Sequence, residues 1–241
     1  MGKQDKIFEK GNVSGLPFSF NQEVTEVFED MIDRSVPGYS TTLRIIQQQA
    51  KNHYIDRSNV YDLGCSLGAS TSSLLNALNG RPKVIAIDNS DSMVRSCTER
   101  FSRSIKAEQV KFLQEDILQS EIVNASVVVI NFVLQFLSIK ERVGLMQKIY
   151  QGLVPGGVLI LSEKVHFDSK KRTAEISNIH HFFKATNGYS KLEISSKRDS
   201  LEGVLVTETE SQHLERAKEL GFRNSTKLMS NLNFLTYKFQ K

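Results

Sequence analysis

The pattern of apolar positions changes its period after about residue 55. In residues 21–34 the apolar side chains follow helical spacing, and a second helical stretch covers residues 41–53. Short, continuous apolar runs then alternate with helix-like segments. The strand candidates are residues 60–63, 84–87, 110–113, 125–132 and 158–161, and the helix candidates between them end near residues 78, 105 and 153. Such alternation indicates a parallel sheet with both faces covered, so we predict a doubly wound α/β fold.

The last third of the chain departs from this alternation. Residues 167–206 are polar and helical in parts, which predicts an inserted helical cap, called here the cap segment. A helix is then predicted over residues 212–220, followed by strands over 225–229 and 233–239. A closing hairpin on an otherwise parallel sheet would suit this ending. We interpret residues 1–241 as one domain in which residues 1–55 form N-terminal helices.

Composition and charge narrow the function classes. The chain has 39% hydrophobic and 24% charged residues, typical of a folded protein, and its net charge is only +4. Because the basic residues are scattered, no direct nucleic-acid binding is expected. The two cysteines, Cys65 and Cys97, lack metal-ligand spacing and cannot build a disulfide framework, so no metal site and a reducing compartment are expected. No signal-peptide pattern or membrane-length apolar run is present, so we expect a cytoplasmic location away from the membrane.

The first candidate for chemistry is the loop at residues 62–68 (DLGCSLG), between the first strand and its helix. Gly64 and Gly68 let the backbone turn tightly and approach a ligand closely. The loop lacks the three-glycine fingerprint of a dinucleotide site. Taken alone it is weak evidence, because glycines between a strand and a helix often serve only the turn.

Acidic and amide side chains follow the next three strands. Asp88 ends the second strand, where a carboxylate can accept hydrogen bonds from both ribose hydroxyls, with Asn89 beside it; capping the next helix is the alternative role. After the third strand, Asp116 could accept from an adenine amino group while Ile117 packs on the ring. Asn131 ends the fourth strand and would face the same ligand. Residues 153–157 (LVPGG) are interpreted as a tight turn into the fifth strand.

Together these features resemble the class I S-adenosylmethionine (SAM)-dependent methyltransferase fold. The resemblance implies a Rossmann-like, mixed seven-stranded sheet and SAM as ligand. One departure is Ser66, which stands where that family usually has its second loop glycine. Its side chain could crowd the methionine part of the ligand or hydrogen-bond to it.

Longer strings outside these motifs are similar to the carboxy-S-adenosylmethionine synthase family and cover nearly the whole chain. They are residues 28–32 (FEDMI), 34–40 (RSVPGYS), 61–69 (YDLGCSLGA), 131–137 (NFVLQFL), 148–153 (KIYQGL), 161–164 (LSEK), 187–190 (NGYS), 192–195 (LEIS) and 197–198 (KR). The resemblance implies conversion of SAM and prephenate to carboxy-SAM and phenylpyruvate. A separate enzyme would use carboxy-SAM to modify the wobble uridine of certain tRNAs. A homodimer is also implied.

The resemblance also implies a set of ligand contacts. They are Tyr39, Gly64, Cys65, Ser66, Asp88, Asn89, Asp116, Ile117, Asn131 and Arg198. Arg198 is the candidate catalytic residue, because a guanidinium repels a sulfonium methyl but pairs well with a carboxylate placed on that methyl. The alternative is a solvated cap residue. No side chain is assigned as general base, since the adjacent His180 and His181 are more often surface or packing residues.

Two other functions stay open at this point. A conventional SAM-dependent methyltransferase acting on a small molecule or RNA would use the same fold. A non-catalytic nucleoside-binding subunit is disfavoured, because a fold without ligand has no need of both Asp88 and Asp116.

Overall fold

The computed structural model describes residues 3–12, 15–79 and 83–241. Within these residues seven strands form one sheet in the order β3-β2-β1-β4-β5-β7-β6. Strands β1 to β5 are parallel, and β7 runs antiparallel to both β5 and β6. The strands are β1 Asn59–Leu63, β2 Val84–Asp88, β3 Val110–Gln114, β4 Ala125–Asn131, β5 Leu153–Lys164, β6 Arg223–Asn231 and β7 Phe234–Gln240. The predicted parallel sheet with a closing hairpin is confirmed.

The helices of the described residues follow the predicted order. They are α1 Gln22–Ser35, α2 Tyr39–His53, α3 Ala69–Leu78, α4 Asp91–Arg100, α5 Ser102–Lys106, α6 Ile139–Gly152, α7 Lys170–Thr186, α8 Lys191–Leu201 and α9 Glu210–Glu219. Polar side chains cap the N-termini of several helices. Asn21 caps α1, and Ser138 and Ser190 form capping boxes at α6 and α8. The predicted cap segment contains α7 and α8. None of these helices is long and apolar enough to cross a membrane.

Two local predictions are wrong. The helix predicted up to residue 105 is broken at Phe101, whose non-helical backbone separates α4 from α5 and whose ring packs 5.3 Å from that of Phe112. The predicted turn at residues 153–157 belongs to β5. Leu153 already pairs with Ala125, and the next pair is Val127 with Val158, so the residues between bulge out of the sheet instead of ending it.

The core lies on both faces of the sheet, as continuous apolar strands require. One face is covered by the apolar residues of α2 and α3, among them Ile46, Ala50, Leu74 and Leu78, and the other by those of α6 and α9, among them Leu145, Met146 and Ala217. A separate small cluster packs Val24, Val27 and Met31 of α1 against Met93 of α4. This last contact holds α1 over the carboxyl ends of the strands.

Candidate active site

A cavity of about 790 Å³ opens where β1 to β4 end, beneath α1 and the cap segment. This is where doubly wound sheets bind ligands, and the volume suits a nucleoside-sized molecule. The predicted site residues that line it are Tyr39, Gly64, Cys65, Ser66, Asp88, Asn89, Asp116, Ile117 and Asn131. Parallel strands bring their carboxyl ends to one edge of the sheet, which is why residues scattered along the sequence meet here.

The loop after β1 needs its glycines. Gly64 has φ +74° and Gly68 has φ +76°, and a Cβ at Gly64 would lie 2.5 Å from Cγ2 of Val133. Ser66 also has a positive φ, of +47°. The serine therefore adopts the left-handed backbone that glycine takes more easily, at some cost in strain. Cys65 and Ser66, which lie between the two glycines, both line the cavity.

Asp88 joins that loop to the end of β2. Its two carboxylate oxygens accept backbone hydrogen bonds of 2.9 Å each, Oδ2 from Ser66 and Oδ1 from Ser90. Burial raises the pKa of Asp88, and these two hydrogen bonds oppose the rise. The cap of α4 is instead the side chain of Ser90, which accepts from the N–H of Met93. A carboxylate has about four acceptor positions, so Asp88 can also accept from ligand hydroxyls.

Asp62 joins the end of β1 to the first turn of α3. It is buried, and its Oδ2 accepts a 2.6 Å hydrogen bond from Oγ1 of Thr71. Burial raises the pKa of Asp62 to about 7, against the lowering effect of that hydrogen bond. Burial also raises the pKa of Tyr39, so its phenol stays protonated.

The end of β4 offers an acceptor without a partner. Nδ2 of Asn131 donates to Oγ of Ser70 at 3.1 Å, whereas its Oδ1 is buried and has no hydrogen-bond partner within the described residues. Because Asn131 lines the cavity, a donor group of a ligand, such as an ammonium, can satisfy that oxygen. This orphaned acceptor fits the amino-acid part of SAM.

The turn after β4 is held by a buried carboxylate. Glu163 of β5 accepts from the backbone N–H groups of Val133, Leu134 and Gln135, at 3.1, 2.8 and 3.1 Å. Burial raises the pKa of Glu163 to about 8, and these backbone hydrogen bonds oppose that rise. Val133 and Gln135 of this turn line the cavity.

Arg198 is not brought together with the other predicted residues. Its side chain is 63% exposed on α8, pairs with Asp199 at 2.8 Å and does not line the cavity of its own chain. The preceding Lys197 faces inward instead and is buried.

A basic and aromatic part of the cavity wall was not identified from the sequence. It consists of Lys164, Lys184, Lys197, Phe18, Phe20, Phe28, Phe136 and Phe234. His180 also belongs to this wall. It is buried, and its Nε2 lies 2.7 Å from the carbonyl oxygen of Ser35, so it is a packing residue, one of the two expected roles. Burial lowers the pKa of His180 to about 3, so the ring is neutral. The only signal in the sequence was the helical spacing of His180 and Lys184, which places them on one face of α7.

Comparison with known proteins agrees with this architecture. Residues 60–157 match the family described as "Methyltransferase domain". The chain is 43% identical to carboxy-S-adenosyl-L-methionine synthase of Shewanella halifaxensis over 95% of both chains, and 44% identical to that of Psychromonas ingrahamii over 97% of both. Among solved structures, human N-acetylserotonin methyltransferase in complex with SAM matches with a TM-score of 0.61 at 14% identity, covering 98% of this chain and 58% of that one. Magnesium protoporphyrin IX methyltransferase from Synechocystis matches with a TM-score of 0.59 at 14% identity, covering 87% and 85%. At such identities these structures confirm the predicted fold alone.

Proposed function

Because the chain belongs to the carboxy-S-adenosyl-L-methionine synthase family, we propose a carboxyl donor and a set of contacts for its cavity. The enzyme is a SAM-dependent transferase whose product is carboxy-SAM, as the resemblance implied. Identity above 40% over nearly the whole length of both chains carries this conclusion. The proposed donor of the carboxyl group is prephenate.

SAM would lie across the carboxyl ends of the strands. We place its ribose hydroxyls on Asp88 and Asn89, and its adenine on Ile117 with the amino group donating to Asp116. The ammonium of its methionine part would satisfy Oδ1 of Asn131, near the backbone of Gly64 and Ser66. The orphaned oxygen of Asn131 and the remaining acceptor positions of Asp88 support this placement.

The proposed reaction replaces one hydrogen of the sulfonium methyl by a carboxylate. Prephenate loses carbon dioxide and hydroxide and becomes phenylpyruvate. The hydroxide takes a proton from the methyl group and forms water, and the resulting ylide carbon bonds to the carbon dioxide. The adjacent positive sulfur stabilises the carbanion, so the protein has mainly to exclude water and hold both reactants together. This balance needs no general base from the chain.

Arg198 would act in the cavity of a second copy. Its exposure, and its absence from the lining of its own cavity, support a homodimer in which the guanidinium crosses the interface to the carboxylate of carboxy-SAM. Its own helix α8 and the preceding helix α7 expose large apolar side chains, Leu192 at 52% in α8 and Ile179 at 50% and Phe182 at 69% in α7. Such a surface suits burial against another copy.

The wider role follows from the chemistry of the product. We propose that carboxy-SAM serves a separate enzyme as carboxymethyl donor for the wobble uridine of tRNA, so this chain itself needs no nucleic-acid surface. Its free cysteines, Cys65 and Cys97, suit the reducing cytoplasm in which such a pathway would run.

The first experiment is a mass spectrum of the ligand that denaturation releases from the purified protein. A species heavier than SAM by one carboxyl group is expected, together with formation of phenylpyruvate when SAM and prephenate are added. Plain SAM or its demethylated form, without turnover of prephenate, would indicate the conventional methyltransferase instead.

A further inference from the structure

Three lysines line the cavity. Lys164 ends β5, Lys184 lies near the end of α7, and Lys197 lies in α8. Lys184 is 9% exposed and Lys197 is 7% exposed. Lys164 is partly buried. Ammonium groups removed from water are costly unless they are paired, so the counter-charge of each lysine has to be identified.

Lys197 has partners within the chain. Its Nζ lies 3.2 Å from Oγ of Ser35 and 3.9 Å from Oδ2 of Asp5, which is itself buried. This lysine therefore serves to join α8 to the N-terminal segment.

Lys164 and Lys184 have no such partners. Neither Nζ has a hydrogen bond or an ion pair with any of the described residues. The nearest interaction of Lys164 is with the ring of Phe234, whose centroid lies 5.7 Å away. The neighbouring Glu163 cannot compensate, because its carboxylate accepts from the backbone of the turn after β4.

The electrostatics of this pair favour the binding of an anion. Burial, together with the charges of Lys197 and Lys164, lowers the pKa of Lys184 to about 7. Burial also lowers the pKa of Lys164. A bound dianion would reverse both shifts, because an opposite charge at close range favours the protonated amine.

We propose that Lys164 and Lys184 form a subsite for the dianionic carboxyl donor and hold it beside SAM. The inference rests on the proposed function and names the residues that bind the second substrate. The aromatic rings nearby complete the subsite, since Phe132 and Phe234 meet edge to face at 5.7 Å and both line the cavity. A substrate with two carboxylates and an unsaturated ring matches this combination of two cations and an apolar wall.

The test compares Lys164→Met and Lys184→Met with Lys171→Met, a control on the exposed side of α7. At saturating SAM, each cavity variant is expected to raise the KM for prephenate about 10- to 100-fold, the range for a lost hydrogen bond to a charged group. The dissociation constant of SAM, measured by calorimetry, should stay within about twofold in all three. Replacing an unpaired buried charge by methionine should leave the unfolding temperature unchanged or higher. A KM for prephenate within about twofold of wild type in both cavity variants would overturn the subsite.

A second measurement separates this inference from the reaction itself. An amine whose pKa is near 7 reacts readily with acylating reagents at neutral pH. Prephenate should therefore protect Lys184 from labelling, whereas the labelling of Lys171 should be the same with and without prephenate. Protection supports the subsite even where wild-type enzyme makes no carboxy-SAM from prephenate, a result that would count against the proposed function alone. Unchanged labelling of Lys184 at saturating prephenate would overturn the subsite whether or not turnover occurs.

Discussion

The backbone N–H of Ser66 donates a 2.9 Å hydrogen bond to Oδ2 of Asp88, which joins the loop after β1 to the end of β2. The same carboxylate holds the backbone of Ser90 through its other oxygen. Asp88 therefore shapes two loops of the cavity and also presents acceptor positions to it. A ligand that occupies those positions meets a carboxylate already fixed in place.

We expect Asp88→Asn to weaken SAM binding by roughly 1.5–3 kcal/mol, the value of a hydrogen bond to a charged group. The amide keeps the size of the side chain but replaces one acceptor by a donor, which faces either a backbone N–H or a ribose hydroxyl. Calorimetric titration with SAM measures the change. The control is Asp91→Asn, at an exposed position of α4 three residues away. Equal affinity of wild type and Asp88→Asn would remove Asp88 from the ribose site.

Gly64 and Gly144 form a matched pair for testing the loop. Alanine at Gly64 must adopt a φ of +74°, at a cost of about 1–2 kcal/mol, and its Cβ would lie 2.5 Å from Cγ2 of Val133. Alanine at Gly144, inside α6, meets no atom within 4 Å and should stabilise the protein by about 0.5–1 kcal/mol. Urea unfolding should therefore show opposite signs for the two variants. Loss of SAM affinity is expected only for Gly64→Ala. Unchanged stability and SAM affinity of this variant would mean that the loop accommodates the Cβ without strain.

Asp62 should make the stability depend on pH. Its pKa is about 7 in the folded protein and near the ordinary 3.8 when unfolded, so the folded state binds more protons between these values. The contribution of Asp62 to the free energy of unfolding therefore falls as pH rises from about 4 to about 7.

Asp62→Asn removes this titration while its amide oxygen can still accept from Thr71. Relative to wild type, the free energy of unfolding of the variant should rise by roughly 3 kcal/mol between pH 4.5 and pH 8, as measured by urea unfolding. Asp56→Asn, at an exposed position, should show no such gain. A difference between Asp62→Asn and wild type that is constant with pH would mean that Asp62 ionises normally in the fold.

Arg198→Ala should weaken carboxy-SAM by roughly 1.5–3 kcal/mol and leave SAM binding within about twofold, because only the product carries the carboxylate. Calorimetry with the two ligands measures the difference, and Arg103→Ala, an exposed arginine of α5, is the control. Equal losses for both ligands would exclude this role for Arg198.

If the protein forms the proposed homodimer, mixed dimers decide which chain supplies the guanidinium. A dimer of one Arg198→Ala subunit and one Asp88→Ala subunit keeps a complete site only if Arg198 reaches into the neighbouring cavity. At a SAM concentration well below saturation, the mixed dimer is then expected to be much more active than either parent. An inactive mixed dimer would place Arg198 in its own chain's site.

The two mispredicted segments have local physical causes. The helix break at Phe101 depends on its ring packing against Phe112 of β3, a contact that helical spacing alone does not encode. β5 begins earlier than predicted because Leu153 pairs with Ala125 of the neighbouring β4. Pro155 and the two glycines after it locally favour a turn. The pairing of β5 with β4 overrides this local preference.

The order of apolar strands and the residues that end them were sufficient to predict the sheet and the part of the cavity formed by Gly64, Asp88, Asp116 and Asn131. This holds because the carboxyl ends of parallel strands all lie at one edge of the sheet. A residue that ends such a strand in the sequence therefore lies at that edge in the structure. The cap is different. Successive residues of a helix point about 100° apart, so the packing of α8 against the N-terminal segment determines that Lys197 faces the cavity and Arg198 faces outward. Tertiary packing alone likewise brings Lys164 of β5 and Lys184 of α7 into one cavity, because no local pattern relates a strand end to a helix that packs above it.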